Sequence, residues 1–181
     1  MIAKEEEPWR GRFLGRVPRA LREEIESAAR VAWIPIENHV RLSDIQLETY
    51  GAVRAHDYFR RAFASSLRGP FFGPLLKTGV RLLGLSPATM ARWAGRGYEA
   101  GFRNAGKIVG EVLGPGHARL AYSGLPAVCV ASDAWMTSPH GSAYGAYDVL
   151  GVADGIVRLD LSHRAEGRLV LDLEWEEAKA G

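Results

Sequence analysis

The sequence predicts an α+β domain in which a helix-rich N-terminal part packs on a four-stranded antiparallel sheet, and three observations carry that reading. Lys107 to Val112 and Ala118 to Tyr122 flank Gly114-Pro115-Gly116, a tight reversal. Ile156 to Leu161 and Leu169 to Trp175 flank a polar turn containing Glu166-Gly167. Between these hairpins lies a segment of helical period starting at Ser138-Pro139, and residues 17–104 ahead of them read mostly as helix. Within the last hairpin, Val157, Leu159 and Leu161 alternate with Arg158, Asp160 and Ser162, and Leu169, Leu171, Leu173 and Trp175 with Val170, Asp172 and Glu174. That is the two-residue period of strands with one wet face. A slip of one residue would expose the whole apolar row, so the pairing is well specified.

The elements follow in order. Residues 1–16, with Glu5-Glu6-Glu7 and Pro8-Trp9-Arg10-Gly11, read as an extended segment ahead of a single domain over 17–177. Pro18 suits a first helical position, and Leu21, Ile25, Ala28, Ala29 and Ala32 recur at helical spacing up to the break at Ile34-Pro35. Ser43 and Gln46 form a capping box that opens a short helix to Tyr50, and Gly51 marks a joint. Val53, Phe59, Ala62, Phe63 and Leu67 place an apolar stripe on the next helix, opposite Arg54, Asp57, Arg60 and Arg61. Arg68-Gly69-Pro70 breaks it. Gly73-Pro74 starts another helix, with Leu75, Leu76, Val80 and Leu83 on its core face and Gly84 as its cap.

Ser86-Pro87 opens a helix bearing Met90, Trp93, Ala94 and Tyr98, whose Gly95, Gly97 and Gly101 suit close packing with a neighbour. Ala127-Val128-Cys129-Val130-Ala131 fits a buried strand or a helix turn equally well.

Composition bounds the function classes. A chain of 181 residues, 47% hydrophobic and 24% charged, is an ordinary globular protein. Its single cysteine, Cys129, excludes an internal disulfide and a cysteine zinc site. No apolar run is long enough to span a bilayer, and Met1 to Arg10 is acidic rather than signal-like, so a cytoplasmic location is expected. Net charge is +2, with 17 Lys+Arg against 11 Asp+Glu in residues 1–104 and 6 against 10 in 105–181. The basic residues are interleaved with glutamates and accompany no nucleic-acid motif, so no nucleic acid is expected as a partner. No cofactor pattern and no metal site are expected, because the glycines follow no phosphate-cradling spacing and the five histidines are scattered.

Two sets of residues are candidates for a site. Trp93, Tyr98, Trp135, Tyr144 and Tyr147 combine apolar area with a polar handle, which suits a ligand pocket or a dimer face as well as a core. Asp133 and His140, with Ser132 and Ser138 nearby, offer a carboxylate, an imidazole and hydroxyls of the kind a hydrolase uses, without a Gly-x-Ser-x-Gly elbow.

Trp33-Ile34-Pro35, Gly84-Leu85-Ser86-Pro87, Leu113-Gly114-Pro115-Gly116 and the ending Leu171-Asp172-Leu173-Glu174-Trp175 carry a resemblance over residues 30–177. The chain resembles a family of uncharacterised proteins known mainly from myxobacteria. That family is similar to the superfamily of haem-nitric-oxide sensor domains, four-vinyl-reductase domains and TRAPP vesicle-tethering subunits. The resemblance implies helices on a four-stranded antiparallel sheet and a ligand-binding or assembly module that is often dimeric. Haem sensors of that superfamily carry a Tyr-x-Ser-x-Arg motif and a helical histidine. Here the tyrosine and serine are adjacent in Tyr122-Ser123-Gly124-Leu125 with no arginine following, and only His39 and His56 lie in the helical half. TRAPP-type subunits can carry an acyl chain on a buried cysteine, which makes Cys129 an acyl-site candidate.

The resulting expectation is a non-catalytic ligand-binding or protein-interaction module for signalling or scaffolding. It would take a second copy, a partner protein or a small apolar ligand. The alternative is a small hydrolase or transferase using Asp133 and His140.

Overall fold

A computed structural model describes residues 9–27, 34–69 and 86–177. Helices α1 (Trp9–Arg16), α2 (Arg19–Ser27), α3 (Ile36–Arg68) and α4 (Pro87–Gly101) precede strands β1 (Lys107–Gly114) and β2 (His117–Ser123). Helices α5 (Ala127–Ala131) and α6 (Asp133–Leu150) follow, then β3 (Ile156–Asp160), a 3₁₀ turn at Arg164–Glu166 and β4 (Leu169–Glu174). The sheet order is β1-β2-β4-β3 with every neighbour antiparallel. The α+β reading and both hairpins hold. The spacing of Ala28, Ala29 and Ala32 and the helix expected from Gly73-Pro74 lie outside the described residues.

Several boundaries differ from the expected ones. Trp9–Arg16 is helical rather than extended, and Phe13 and Val17 are buried with Leu21 and Ile45 in a small second core. The helix α3 starts at Ile36, directly after Pro35, so Ser43 is inside it and is not a cap. Its hydroxyl bonds back to the His39 carbonyl at 3.0 Å. Gly51 is a joint, with φ of 73° and ψ of 168° interrupting α3. That break resets the helical face and turns Val53 outward at 84% exposure. The buried positions beyond it are Ala55, Tyr58 and Ala64.

The helix between the hairpins also begins early. Ser132 is its cap, accepting from the Trp135 N–H at 2.9 Å, and Ser138-Pro139 lies inside it. Pro139 cannot donate to the Trp135 carbonyl four residues back. The Ser138 hydroxyl supplies that bond at 2.8 Å, so the helix runs through a residue pair that resembles a start signal. Residues 127–131 resolve as the helical turn α5.

Glycine spacing sets how closely the layers approach. A Cβ on Gly110 of β1 would stand 1.8 Å from the Ala91 carbonyl oxygen of α4, and one on Gly95 would stand 2.5 Å from that of Ile108. Backbone therefore meets backbone where α4 crosses β1. Close packing holds for Gly95 and not for Gly97 or Gly101, around which space is open. On the other side, α6 lies against α3 through Gly141 and Gly145, whose Cβ atoms would stand 2.7 and 2.3 Å from the carbonyl oxygens of His56 and Arg60. The inner face of the sheet, with Ala118, Val157, Leu169, Leu171 and Leu173, packs beneath α4 and α6 against Ala91, Met136 and Tyr147. Each large side chain buried there stabilises the fold by roughly 1.5–3 kcal/mol.

Gly110→Ala should cost about 3 kcal/mol or more, because only backbone can give way at that contact. Gly97→Ala, on an open helical face, should stabilise by about 0.5–1 kcal/mol. Urea denaturation of the two variants beside the parent chain checks both signs.

Candidate functional site

The aromatic candidates divide into two groups and one outlier. The first group lies between the helices and the sheet. The Tyr98 ring is 4.9 Å from Phe102 and 5.8 Å from Tyr122, and Phe102 is 5.5 Å from Trp135 and 5.7 Å from His39. The Tyr98 hydroxyl donates to the Ala105 carbonyl at 2.7 Å. Burial raises the phenol pKa values of Tyr98 and Tyr122 well above the ordinary tyrosine range and lowers that of His39 below 6.5. Cys129 is fully buried in the same core. Burial pushes its thiol up to about 11, with Glu37 adding to the effect, so it is a neutral thiol at physiological pH.

The second group sits where α3 and α6 touch. The glycine seam brings His56 and His140 together, Nε2 to Nδ1 at 2.9 Å, and the other ring nitrogen of His140 is 3.1 Å from the Val157 carbonyl. A carbonyl only accepts, so Nε2 of His140 carries the proton, its Nδ1 accepts, and Nε2 of His56 donates. Tyr144 stands edge-on to both imidazoles at 5.2 and 5.8 Å, and its hydroxyl accepts from the Val157 N–H at 3.3 Å. His140 and Tyr144 together hold both backbone polar groups of Val157, on the edge strand β3. Tyr147 is buried, 6.2 Å from Tyr144, and donates to the Glu174 carbonyl at 3.0 Å. At the solvent end of the seam, Arg60 grips Asp148 with two bonds of 2.6 and 2.7 Å and holds that carboxyl below its usual range.

Trp93 is the outlier, 48% exposed with the Arg96 guanidinium 4.5 Å from its ring centroid. Of the five aromatic candidates, Trp135 and Tyr147 are buried core side chains that offer a partner no face, and Tyr98 and Tyr144 are half-buried.

Asp133 and His140 do not converge. They are seven residues apart on one helix, about 10 Å along its axis. Asp133 pairs with Arg164 at the surface, while His140 faces His56 and β3. No three histidine, cysteine or acidic side chains come together as metal ligands among the described residues. An open groove of about 430 Å³ runs between α3 and α5, with Val40, Leu47 and Val128 on its floor and Asp44, Glu48 and Asp133 along it.

The histidine pair and the Arg60–Asp148 grip join residues 84 and 88 positions apart, and no local pattern links them. The one signal was the spacing of Gly141 and Gly145, four apart and therefore on one helical face.

With this geometry in place, the chain is similar to the crystal structure of an H-NOX protein from S. oneidensis in the Fe(II) ligation state. The TM-score is 0.51 at 13% identity, covering 92% of this chain and 91% of that one. The likeness is one of fold. No protein-family model matches the chain, and no curated protein matches it significantly. The residues here do not fit a haem. Tyr122 packs edge-on against Tyr98 with no arginine following Ser123, and Phe102 and Trp135 complete an aromatic stack between α4, α6 and the sheet.

His56 is held below its ordinary pKa of 6.5, first by burial and then by the neighbouring charges of His140 and Arg60, against a smaller opposing effect of Asp57. His39 is lowered by burial alone. The unfolded chain therefore binds more protons than the folded one just below pH 6.5, and stability should fall as pH drops through that region. The depressed carboxyls of Asp148, Asp160 and Glu166 add their own losses only in the carboxylate range further down. In His56→Gln the fall just below pH 6.5 should be shallower, and in His56→Gln/His39→Gln shallower still. Thermal melts at half-unit pH steps between about 5 and 7.5 measure this.

Proposed function

We propose that this chain is a non-catalytic interaction module on an H-NOX-like fold, working through a protein partner rather than through haem. The observation that carries the reading is the stack of Tyr98, Phe102, Trp135 and Tyr122, which occupies the space between helices and sheet with the chain's own rings. A space filled in this way leaves the molecule's surface, rather than its interior, to meet a partner. Asp133 and His140, each engaged with its own partner, support no hydrolase or transferase chemistry. Cys129 would serve as an acyl site only after an opening of the core, given its burial and its protonated thiol. Leu113-Gly114-Pro115-Gly116 and the ending Leu171-Asp172-Leu173-Glu174-Trp175, with Trp33-Ile34-Pro35 and Gly84-Leu85-Ser86-Pro87 in support, are the basis for placing the chain beside the uncharacterised myxobacterial family, and a signalling or scaffold role fits that placement.

A small apolar or amphipathic ligand is the second reading, and the groove between α3 and α5 is the observation that favours it. Its apolar floor and the carboxylates of Asp44 and Glu48 suit a molecule with a cationic end, Asp133 being paired with Arg164.

Native mass spectrometry of the freshly purified chain, with a visible absorption scan, separates these readings. The expected result is the 19.8 kDa chain mass or whole multiples of it, with no chromophore. A stoichiometric added mass or a haem-like absorption band would overturn the protein-partner reading and establish a ligand-binding domain.

A further inference from the structure

The outer face of the sheet carries a pattern that identifies its own partner. The strands point Val109, Glu111 and Leu113 of β1, His117, Arg119 and Ala121 of β2, Val170, Asp172 and Glu174 of β4, and Ile156, Arg158 and Asp160 of β3 away from the helices. Helices α4 and α6 cover the opposite face, and among the described residues none packs on this one. Among the described residues, three of the five exposed large apolar side chains, Val109, Leu113 and Ile156, are here, at 65%, 40% and 46% exposure.

The register aligns these side chains in rows across the four strands. One row reads Glu111, Arg119, Asp172, Arg158, so charge alternates from edge to edge. Arg119 binds Asp172 at 2.8 Å, and Arg158 pairs with Glu174. The next row reads Leu113 (in the β1 bulge), His117, Glu174, Ile156. Read backwards, the first of these rows changes sign at every position and the second keeps its apolar ends.

We propose that this face binds a second copy of the same chain, about a two-fold axis parallel to the strands and midway between β2 and β4. That operation reverses strand order while keeping each row over itself. Glu111 then meets Arg158 of the second copy, Arg119 meets Asp172, His117 meets Glu174 and Leu113 meets Ile156. Ala121 meets Val170 in the third row. Asp160, at the rim of that row, faces Val109 but is engaged with its own Ser162 N–H at 2.8 Å. A two-fold axis across the strands would instead lay each strand over itself and set Glu111, Arg119, Asp172 and Arg158 against their own like charges. Complementarity therefore selects one axis as well as one partner.

Sheets stacked in this way lie about 10 Å apart, which side chains of this length span. Four strands about 4.8 Å apart and five residues long give a face of roughly 19 by 17 Å, small against the roughly 800 Å² per partner of a standard interface. The dimer is thus weak and concentration-dependent, and salt loosens it by screening the charged row.

This inference rests on the interaction reading above and names its partner. Sedimentation equilibrium of the full chain, from micromolar to near-millimolar concentration and at low and high salt, reads it. The expected result is a monomer–dimer equilibrium that shifts toward monomer as salt rises. Arg158→Glu places like charges together at both ends of the row and should raise the dissociation constant about tenfold or more. Glu111→Arg combined with Arg158→Glu makes the row complementary again and should restore association to the parent level. Circular dichroism melts of each variant establish that it is folded.

A chain that stays monomeric throughout, association unchanged by Arg158→Glu, or a folded double variant that fails to recover would each overturn the proposal. None of these adds a bound mass or a chromophore, so they leave the wider interaction reading standing. A ligand found in the mass measurement would remove that reading whether or not the chain dimerises.

Discussion

The close approach of α3 and α6 is the constraint on which the rest of this molecule depends. With no side chain on Gly141 or Gly145, the carbonyls of His56 and Arg60 come within the space a Cβ would take. Everything polar at that seam follows from the approach: His56 reaches His140, and Arg60 reaches Asp148. The histidine pair then fixes more than the two helices. Because His140 also donates to Val157, its proton position is set by the sheet, and His56 must supply the second donor. A helix–helix contact, a tautomer and an edge strand are thereby one arrangement. The same principle is used on the other flank, where Gly95 and Gly110 let α4 sit on β1 backbone to backbone. Between these two seams the helical layer has little freedom to lift from the sheet.

That closeness explains why the interior is filled. Tyr98 and Phe102 at the end of α4 and Trp135 at the start of α6 are carried inward by the two seams and meet over Tyr122. Tyr98 meets Tyr122 and Phe102 meets Trp135 edge-on, an arrangement that favours aromatic pairs beyond the area they bury, and Tyr98 lies tilted against Phe102. His39 completes the group as an imidazole edge against Phe102, in surroundings that disfavour its charged form. Opening this space to a ligand as large as a haem would separate at least four rings and expose Cys129, Met136 and Leu171, which are fully buried. A likeness of fold to an H-NOX protein thus coexists with an interior filled by this chain's own rings.

The strands were legible because their outer faces are charged. In β4, Asp172 and Glu174 alternating with Leu171 and Leu173 leave one register and one face available to the core. Helix existence was legible too, but helix starts were not. Pro35 opens α3 eight residues ahead of the apparent capping box at Ser43, and Ser138-Pro139 mimics a start inside α6. In both cases a serine hydroxyl that could cap is bonding back to a carbonyl of its own helix, at His39 and at Trp135. Side-chain chemistry alone cannot distinguish these two uses. The candidate site was less readable still. Aromatic type identified the residues, yet burial separated Trp135 and Tyr147 from Trp93, and the pairing of His56 with His140 depends on a contact between elements 84 residues apart.

The surfaces left over decide what such a molecule can do. The inner face of the sheet is covered, and the β3 edge at Val157 is already bonded by His140 and Tyr144, which blunts it as a template for another strand. What the described surface still offers is the acidic groove beside α3 and the outer face of the sheet. Ion pairs such as Arg119 with Asp172 contribute little to stability where water reaches them. Their alternation along a row is therefore better understood as a constraint on partners than as a brace for the sheet. A face of one sign would attract many molecules of the opposite sign, and a uniformly apolar one would aggregate. Alternating charge with apolar ends does neither, and restricts the face to a surface bearing the same pattern in reverse.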